Sequence, residues 1–274
     1  MLIYGINPVL EALRAGRVTA LRVSTRADDR ISAVVRLAEE QGVSLRRVTM
    51  GDLDRAARGA AHQGVLADVR GPAAWSVDDL IAQASAAPLI VVLDGIEDPH
   101  NLGAILRTVD AVGADGVVRQ ARRAAALGGA AAKASAGAVA HVKIAEVVNI
   151  ARALETLKRA GVWTVGFAGD AATQYDQMDY TLPTALVVGA EAAGLRRLVR
   201  ERCDWLVSIP LRGHVQSLNV SVAAGVALFE AARQRRLGRP GRLGGDDQQG
   251  RSVQGRESPD APKEASKEGT TGRA

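Results

Sequence analysis

From position 88 onward the chain alternates short aliphatic runs with stretches in which apolar residues return every three or four positions, and that rhythm leaves few architectures open. Strands are predicted at 89–93, 116–119, 141–144, 162–167, 185–189 and 206–209, and helices at 102–112, 148–160 and 219–236. In the first helix Leu102, Ile105, Leu106 and Val109 share one face, and Arg107 lies off it. Strands alternating with helices predict an α/β fold around a parallel sheet. Aromatic residues are only 3% of the 274, so the core has to be built from Ala, Val, Leu and Ile, as in a sheet covered by helices on both faces.

Residues 1–70 have a different texture. They read as a small α/β unit, with helices at 7–13, 32–40 and 53–58 and strands at 21–24, 45–48 and 64–69. Gly71-Pro72-Ala73-Ala74 breaks the pattern, and with a short helix at 77–84 it makes a linker over 71–84. The large α/β domain then occupies 85–237. Residues 238–274 are rich in Gly, Pro, Ser, Gln and mixed charge, cannot bury enough apolar surface to order themselves, and are expected to be a disordered tail.

Charge and cysteine content exclude more than they identify. The net charge is +5, a mild excess carried mainly by Arg, whose planar fork suits phosphate. The single Cys203 cannot form a disulfide within the chain and is expected to be a small buried apolar residue. No secretory signal is visible, and the apolar run Pro88 to Leu93 is too short to span a bilayer, so a cytoplasmic protein without a membrane partner is expected. His62, His100, His141 and His214 have no metal-ligand spacing, and no metal is expected.

Three polar loops follow predicted strands. The first runs from Asp94 to Gly103, with Asn101 the expected cap of the next helix. The second, Gly189-Ala190-Glu191-Ala192-Ala193-Gly194, has glycines five apart. Leu195-Arg196 stands where a phosphate-binding loop would carry Lys and Ser or Thr, which rules out that reading. The third runs from Ile209-Pro210 through Arg212 and His214 to Ser217-Leu218-Asn219, and Ser217 or Asn219 is expected to cap the last helix. Each loop alone is explained by capping. Together they sit where open parallel sheets bind ligands, past the carboxyl ends of strands.

The stretch Asp98-Pro99-His100-Asn101-Leu102-Gly103-Ala104-Ile105-Leu106-Arg107, then Gly189-Ala190-Glu191 with Gly194-Leu195, then Ile209-Pro210 with Ser217-Leu218-Asn219-Val220-Ser221 resemble the three motifs of the SpoU/TrmH (SPOUT) family of RNA ribose methyltransferases, in the family's order. Lys133 to Ala138, Tyr4 to Val9 and His62 to Val65 also resemble family segments, so the likeness covers about residues 2–236.

The resemblance implies a parallel α/β domain with a C-terminal trefoil knot, a small L30e-like RNA-binding domain in front of it, and a homodimer. It implies S-adenosyl-L-methionine as cofactor, held by Gly189, Gly194, Ile209, Pro210 and Leu218. It also implies methylation of a ribose 2′-oxygen, with 23S rRNA guanosine as substrate. Arg107 would hold the neighbouring RNA phosphate or steady the forming alkoxide, while Asn101, Glu191, Ser217 and Asn219 would shape the site. The same reaction on another rRNA nucleotide or on tRNA stays open, as does a non-catalytic RNA-binding assembly factor. Arg212, His214 and the segment 119–123 depart from the family pattern.

Overall fold

The sheet that positions the site has seven strands, and every pairing in it is parallel. In chain order they are β5 (Leu89–Asp94), β6 (Gly116–Gln120), β7 (Ile144–Val147), β8 (Trp163–Phe167), β9 (Thr173–Gln174), β10 (Thr184–Gly189) and β11 (Trp205–Ser208), arranged β7-β6-β5-β10-β8-β11-β9. In this computed structural model residues 1–238 are described, except 27–28, 72–73, 123 and 192. The expected tail therefore lies outside the described residues from 239 onward, as do Pro72 and Ala73 of the expected linker.

The aliphatic strands are buried on both sides, as their composition requires. All six residues of β5 are buried. Leu89, Val91 and Leu93 join one core cluster with residues of α5 (Pro99–Val112) and α9 (Val220–Leu237). Ile90 and Val92 join the other, with residues of α4 (Val77–Ala82), α7 (Ile150–Arg159) and α8 (Arg197–Arg202). Strand alternation thus divides one β-strand between two helical layers. Each such Leu, Ile or Val contributes about 1.5–3 kcal/mol by leaving water.

The order of the strands brings distant loops together. β5 pairs with β10 from Leu89↔Thr184 to Asp94↔Gly189, so the first and second polar loops leave the sheet side by side. The third loop leaves β11, two strands along, and leads into α9, which returns over β10 and packs on α5. Arg235 fastens the far end of α9, since its guanidinium donates to the carbonyls of Tyr180, Leu182, Ala87 and Pro88 around the starts of β5 and β10. Arg235→Ala is expected to destabilise the fold by about 2–3 kcal/mol, the scale of several charge-assisted bonds to carbonyls left half-covered, read as a shifted urea midpoint at unchanged slope.

The N-terminal residues form a second sheet from β1 (Leu2–Tyr4), β2 (Val18–Ser24), β3 (Ser44–Val48) and β4 (Val65–Val69), in the order β1-β4-β2-β3. Helices α1 (Ile6–Arg14), α2 (Asp29–Glu40) and α3 (Met50–Ala57) connect them. This sheet is docked on the segment that contains α6 (Gly129–Ala134). The Tyr4 ring lies where a side chain on Gly129 would be, Arg17 donates to the Val139 carbonyl at 3.1 Å, Lys133 donates to the Ala61 carbonyl at 3.1 Å, and His141 meets Glu11 at 3.0 Å.

Two local expectations are corrected. The strand expected at 141–144 is Ile144–Val147; His141 instead ends a 3-10 turn over Ala138–Ala140, which takes Val142 into the core beside it. Asn101 does not cap α5. The cap is Asp98, whose carboxylate accepts from the backbone of His100 and Asn101, with Pro99 at the first helical position. Asn101 is freed for another use.

Candidate active site

At the carboxyl edge of the large sheet a cleft with about 650 Å³ of atom-free space opens between the ends of β8, β10 and β11 and the start of α9. Its walls are Phe167 to Gly169, Val188 to Glu191 with Gly194, Ile209 and Leu211, and Gln216 to Leu218 with Val220 and Ala223. Glu191 is the only charged side chain among the described lining residues. Gln216 and Ser217 add polar side chains, and the rest of the surface is apolar side chain and main chain, suited to a small organic molecule with a flat apolar part.

One side chain ties the three polar loops together. Asn219 caps α9, its Oδ1 accepting from the backbone of Ser221 and Val222. Its Nδ2 donates to Asn101 Oδ1 at 2.9 Å and also to Glu191 Oε1. Asn101 is 8% exposed, so the junction is anchored on a buried side chain, while Asn219 and Glu191 lie at the surface of the cleft. Capping and convergence are therefore the same interaction: the amide's oxygen starts the helix and its nitrogen holds the other two loops.

The second loop is tightly closed. Ala190 and Gly194 exchange both backbone hydrogen bonds, at 3.1 and 2.8 Å. Gly194 has φ 61°, and a Cβ on Gly189 would stand 2.2 Å from the Gly194 carbonyl. The close approach at Gly189 requires glycine, and the left-handed backbone at Gly194 favours it.

Of the residues predicted from sequence, Gly189, Glu191, Gly194, Ile209, Ser217 and Leu218 line the cleft. Asn101 and Asn219 reach it through Glu191. Pro210 is not among the lining residues, and neither is Arg107, which is exposed on α5 with no side-chain partner among the described residues. Sequence reading passed over Phe167, Ala168 and Gly169, although they too follow a strand at the same edge. It also passed over Asp94 and Arg196, which are bonded to each other behind the loop. Cys203 is half-buried against Val199, and burial pushes its thiol up to about 12, so it stays protonated and unreactive near neutrality. No group of His, Cys, Asp and Glu able to hold a metal occurs among the described residues. No helix among them is long and apolar enough to cross a membrane.

A parallel α/β sheet with a cleft at its carboxyl edge, closed by three interlocked loops and accompanied by a separate four-stranded sheet, has the layout of an α/β enzyme that binds a small molecule past its strand ends. The chain belongs to the SpoU rRNA methylase family, whose profile matches residues 88–229. The profile of RNA 2′-O ribose methyltransferase substrate binding matches residues 2–75.

Among its relatives, a 23S rRNA (guanosine-2′-O-)-methyltransferase RlmB of Pseudomonas syringae pv. tomato is 44% identical over 239 residues, 85% of this chain and 95% of that protein. An uncharacterized tRNA/rRNA methyltransferase of Mycolicibacterium gilvum is 48% identical over 242 residues, 86% of this chain and 77% of the other. The crystal structure of the SpoU methyltransferase AviRb from Streptomyces viridochromogenes in complex with the cofactor AdoMet superposes with a TM-score of 0.75 at 28% identity, covering 87% of this chain and 91% of that one.

Proposed function

We propose that the cleft seats S-adenosyl-L-methionine and that the chain methylates the ribose 2′-oxygen of a guanosine in 23S rRNA, in the cytoplasm. The observation that carries this reading is the junction at Asn219, where all three loops meet at one cleft. Likeness to the RlmB relative supports the substrate.

The residues present fit the cofactor. Gly189 and Gly194 let main chain approach closely, and Ile209 and Leu218, next in chain to Pro210 and Ser217, offer apolar faces to the adenine. Glu191, the single charge there, favours a cation. When bound, the cofactor supplies a methyl group on a sulfonium, already a good electrophile. What remains for the protein is to place a weak nucleophile in line and help with its proton. A guanidinium is a poor base, and Arg107 is given no such role. It binds the phosphate beside the reacting sugar, whose oxygen takes the proton, or it steadies the developing alkoxide. Asn101, Glu191, Ser217 and Asn219 hold the loops and the sugar in register.

The exposure of Arg107, away from the cleft walls, is accounted for by partners that complete the site. Residues 1–70 supply the RNA-selecting surface, in line with the substrate-binding match over 2–75. A second copy of the chain supplies the rest. α9 leaves Val222 51% and Phe229 59% exposed, seven residues apart on one stripe with half-buried Val226 between them, more apolar surface than a lone helix face needs. The trefoil-knotted threading implied by the family resemblance belongs to the same proposal. Phe229→Asp is expected to convert a dimer to monomers in analytical ultracentrifugation and to lower methyl transfer with it.

The reading is tested by incubating the protein with methyl-labelled S-adenosyl-L-methionine and 23S rRNA lacking the modification, then mapping the labelled nucleotide. Label on a guanosine 2′-oxygen is expected. Label on tRNA or on another rRNA nucleotide would replace the substrate, and cofactor binding without any transfer would leave an assembly factor.

A further inference from the structure

Behind the cleft, where no reacting group is placed, lies an ion pair whose carboxylate is buried and whose guanidinium is half-exposed. Asp94 is the last residue of β5, and its side chain is 0% exposed. Arg196 meets it at three atoms: its backbone N–H donates to Oδ2 at 2.8 Å, Nε donates to Oδ1 at 2.7 Å, and Nη2 lies 2.5 Å from the same Oδ1. The Gln120 amide at the end of β6, with its oxygen turned toward Arg196, accepts from Nη1 and Nη2, both at 3.0 Å.

The sheet register gives this pair its meaning. Asp94 is the register partner of Gly189, so the carboxylate that receives Arg196 stands beside the glycine where the loop departs. The loop leaves the sheet at Gly189, turns back on itself at Ala190 and Gly194, and comes down on Asp94 two residues later. Its tip is moored separately, by Glu191 to Asn219. One mooring fixes the tip and the other fixes the base.

We infer that Arg196 and Asp94 are a positioning pair for the cofactor: neither lines the cleft, and together they set the height of its Gly189–Gly194 wall above the sheet. Because one of the three donors is a backbone N–H, the pair fixes the main chain at 196 and not merely a side chain. Taking a carboxylate out of water is costly, and a partner that is itself half in solvent repays that cost only in part, so the pair is not chiefly a source of stability. What the ion pair adds is direction. A guanidinium on one carboxylate oxygen and a backbone donor on the other permit far fewer arrangements of the loop than apolar packing would. The inference rests on the reading of the cleft as the S-adenosyl-L-methionine site.

The test compares the full-length wild type with Arg196→Ala, Arg196→Lys and the neutral pair Asp94→Asn/Arg196→Gln, which leaves no lone buried charge if Arg196→Ala folds poorly. Calorimetric titration with S-adenosyl-L-methionine is run beside methyl-transfer kinetics and thermal melts. Arg196→Ala and the neutral pair are expected to weaken cofactor affinity tenfold or more, with KM for the cofactor rising in step. kcat at saturating cofactor should fall less than threefold, with Arg196→Lys in between. Wild-type affinity in the neutral pair overturns the inference, and so does a loss of affinity that only tracks a loss of folded protein. A wild type that fails to bind the cofactor overturns the reading of the cleft instead.

Discussion

Arg107→Ala is expected to slow methyl transfer at least a thousandfold while S-adenosyl-L-methionine affinity and melting temperature stay where they were. The separation follows from where the side chain sits. Arg107 is exposed on α5, lines no part of the cleft and has no side-chain partner among the described residues, so its removal breaks no contact that holds the fold or the cofactor wall. Surface truncations of this kind change stability by no more than about 0.5 kcal/mol. A thousandfold loss corresponds to about 4 kcal/mol of transition-state stabilisation, within the range for a charge directed at a developing anion. Single-turnover transfer from labelled cofactor to rRNA reads the rate, and calorimetry reads the affinity. Arg107→Lys should recover only part of the rate, because an ammonium keeps the charge but loses the planar fork that grips a phosphate. Turnover by Arg107→Ala near the wild-type rate would remove this residue from the mechanism.

The sequence made the fold legible where periodicity was long and unambiguous. β5 and β10 read as buried strands because they carry runs of five and four consecutive aliphatic residues, and α7 and α9 read as helices over several turns. Elements too short to carry a period were not legible. β1 has three residues and β9 two, and each exists because a neighbouring strand offers it hydrogen bonds. α6 is a Gly and Ala run with no apolar stripe, and it forms where Tyr4 and α5 press against it. Asn101 was taken for a cap because Asn before an apolar run is a good cap; Asp98 followed by Pro99 is a better one, and only one residue can hold the position.

The site shows the same division. Its loops could be placed at strand ends from sequence alone, and the family resemblance singled out six of the residues that line the cleft. Their joining through one Asn219 amide could not be read, since it depends on β5 and β10 lying side by side while 89 residues of chain, 95–183, run between them. Asp94 and Arg196 were passed over for the same reason, being 102 residues apart.

Gly189→Ala should be the most damaging single methyl group that can be added to this protein. In an ordinary strand, Ala in place of Gly is mildly favourable, because glycine loses more conformational freedom on folding. Here the added Cβ would lie 2.2 Å from both the carbonyl carbon and oxygen of Gly194 and 2.4 Å from the Leu195 nitrogen. Those are backbone atoms, already committed to the bonds between Ala190 and Gly194, so no side chain can rotate out of the way. The strand cannot yield either, since Gly189 is in register with Asp94 in the middle of the sheet. The loop must therefore open, moving the cofactor wall and drawing Arg196 off its carboxylate. Cofactor binding is expected to become undetectable by calorimetry, with a melting temperature lower by several degrees. Gly194→Ala is the control: nothing stands within 4 Å of the new Cβ, and the only cost is the left-handed backbone at φ 61°, about 1 kcal/mol. It should weaken binding without abolishing it. If the two variants fall in the opposite order, close approach at Gly189 is not what shapes the cleft.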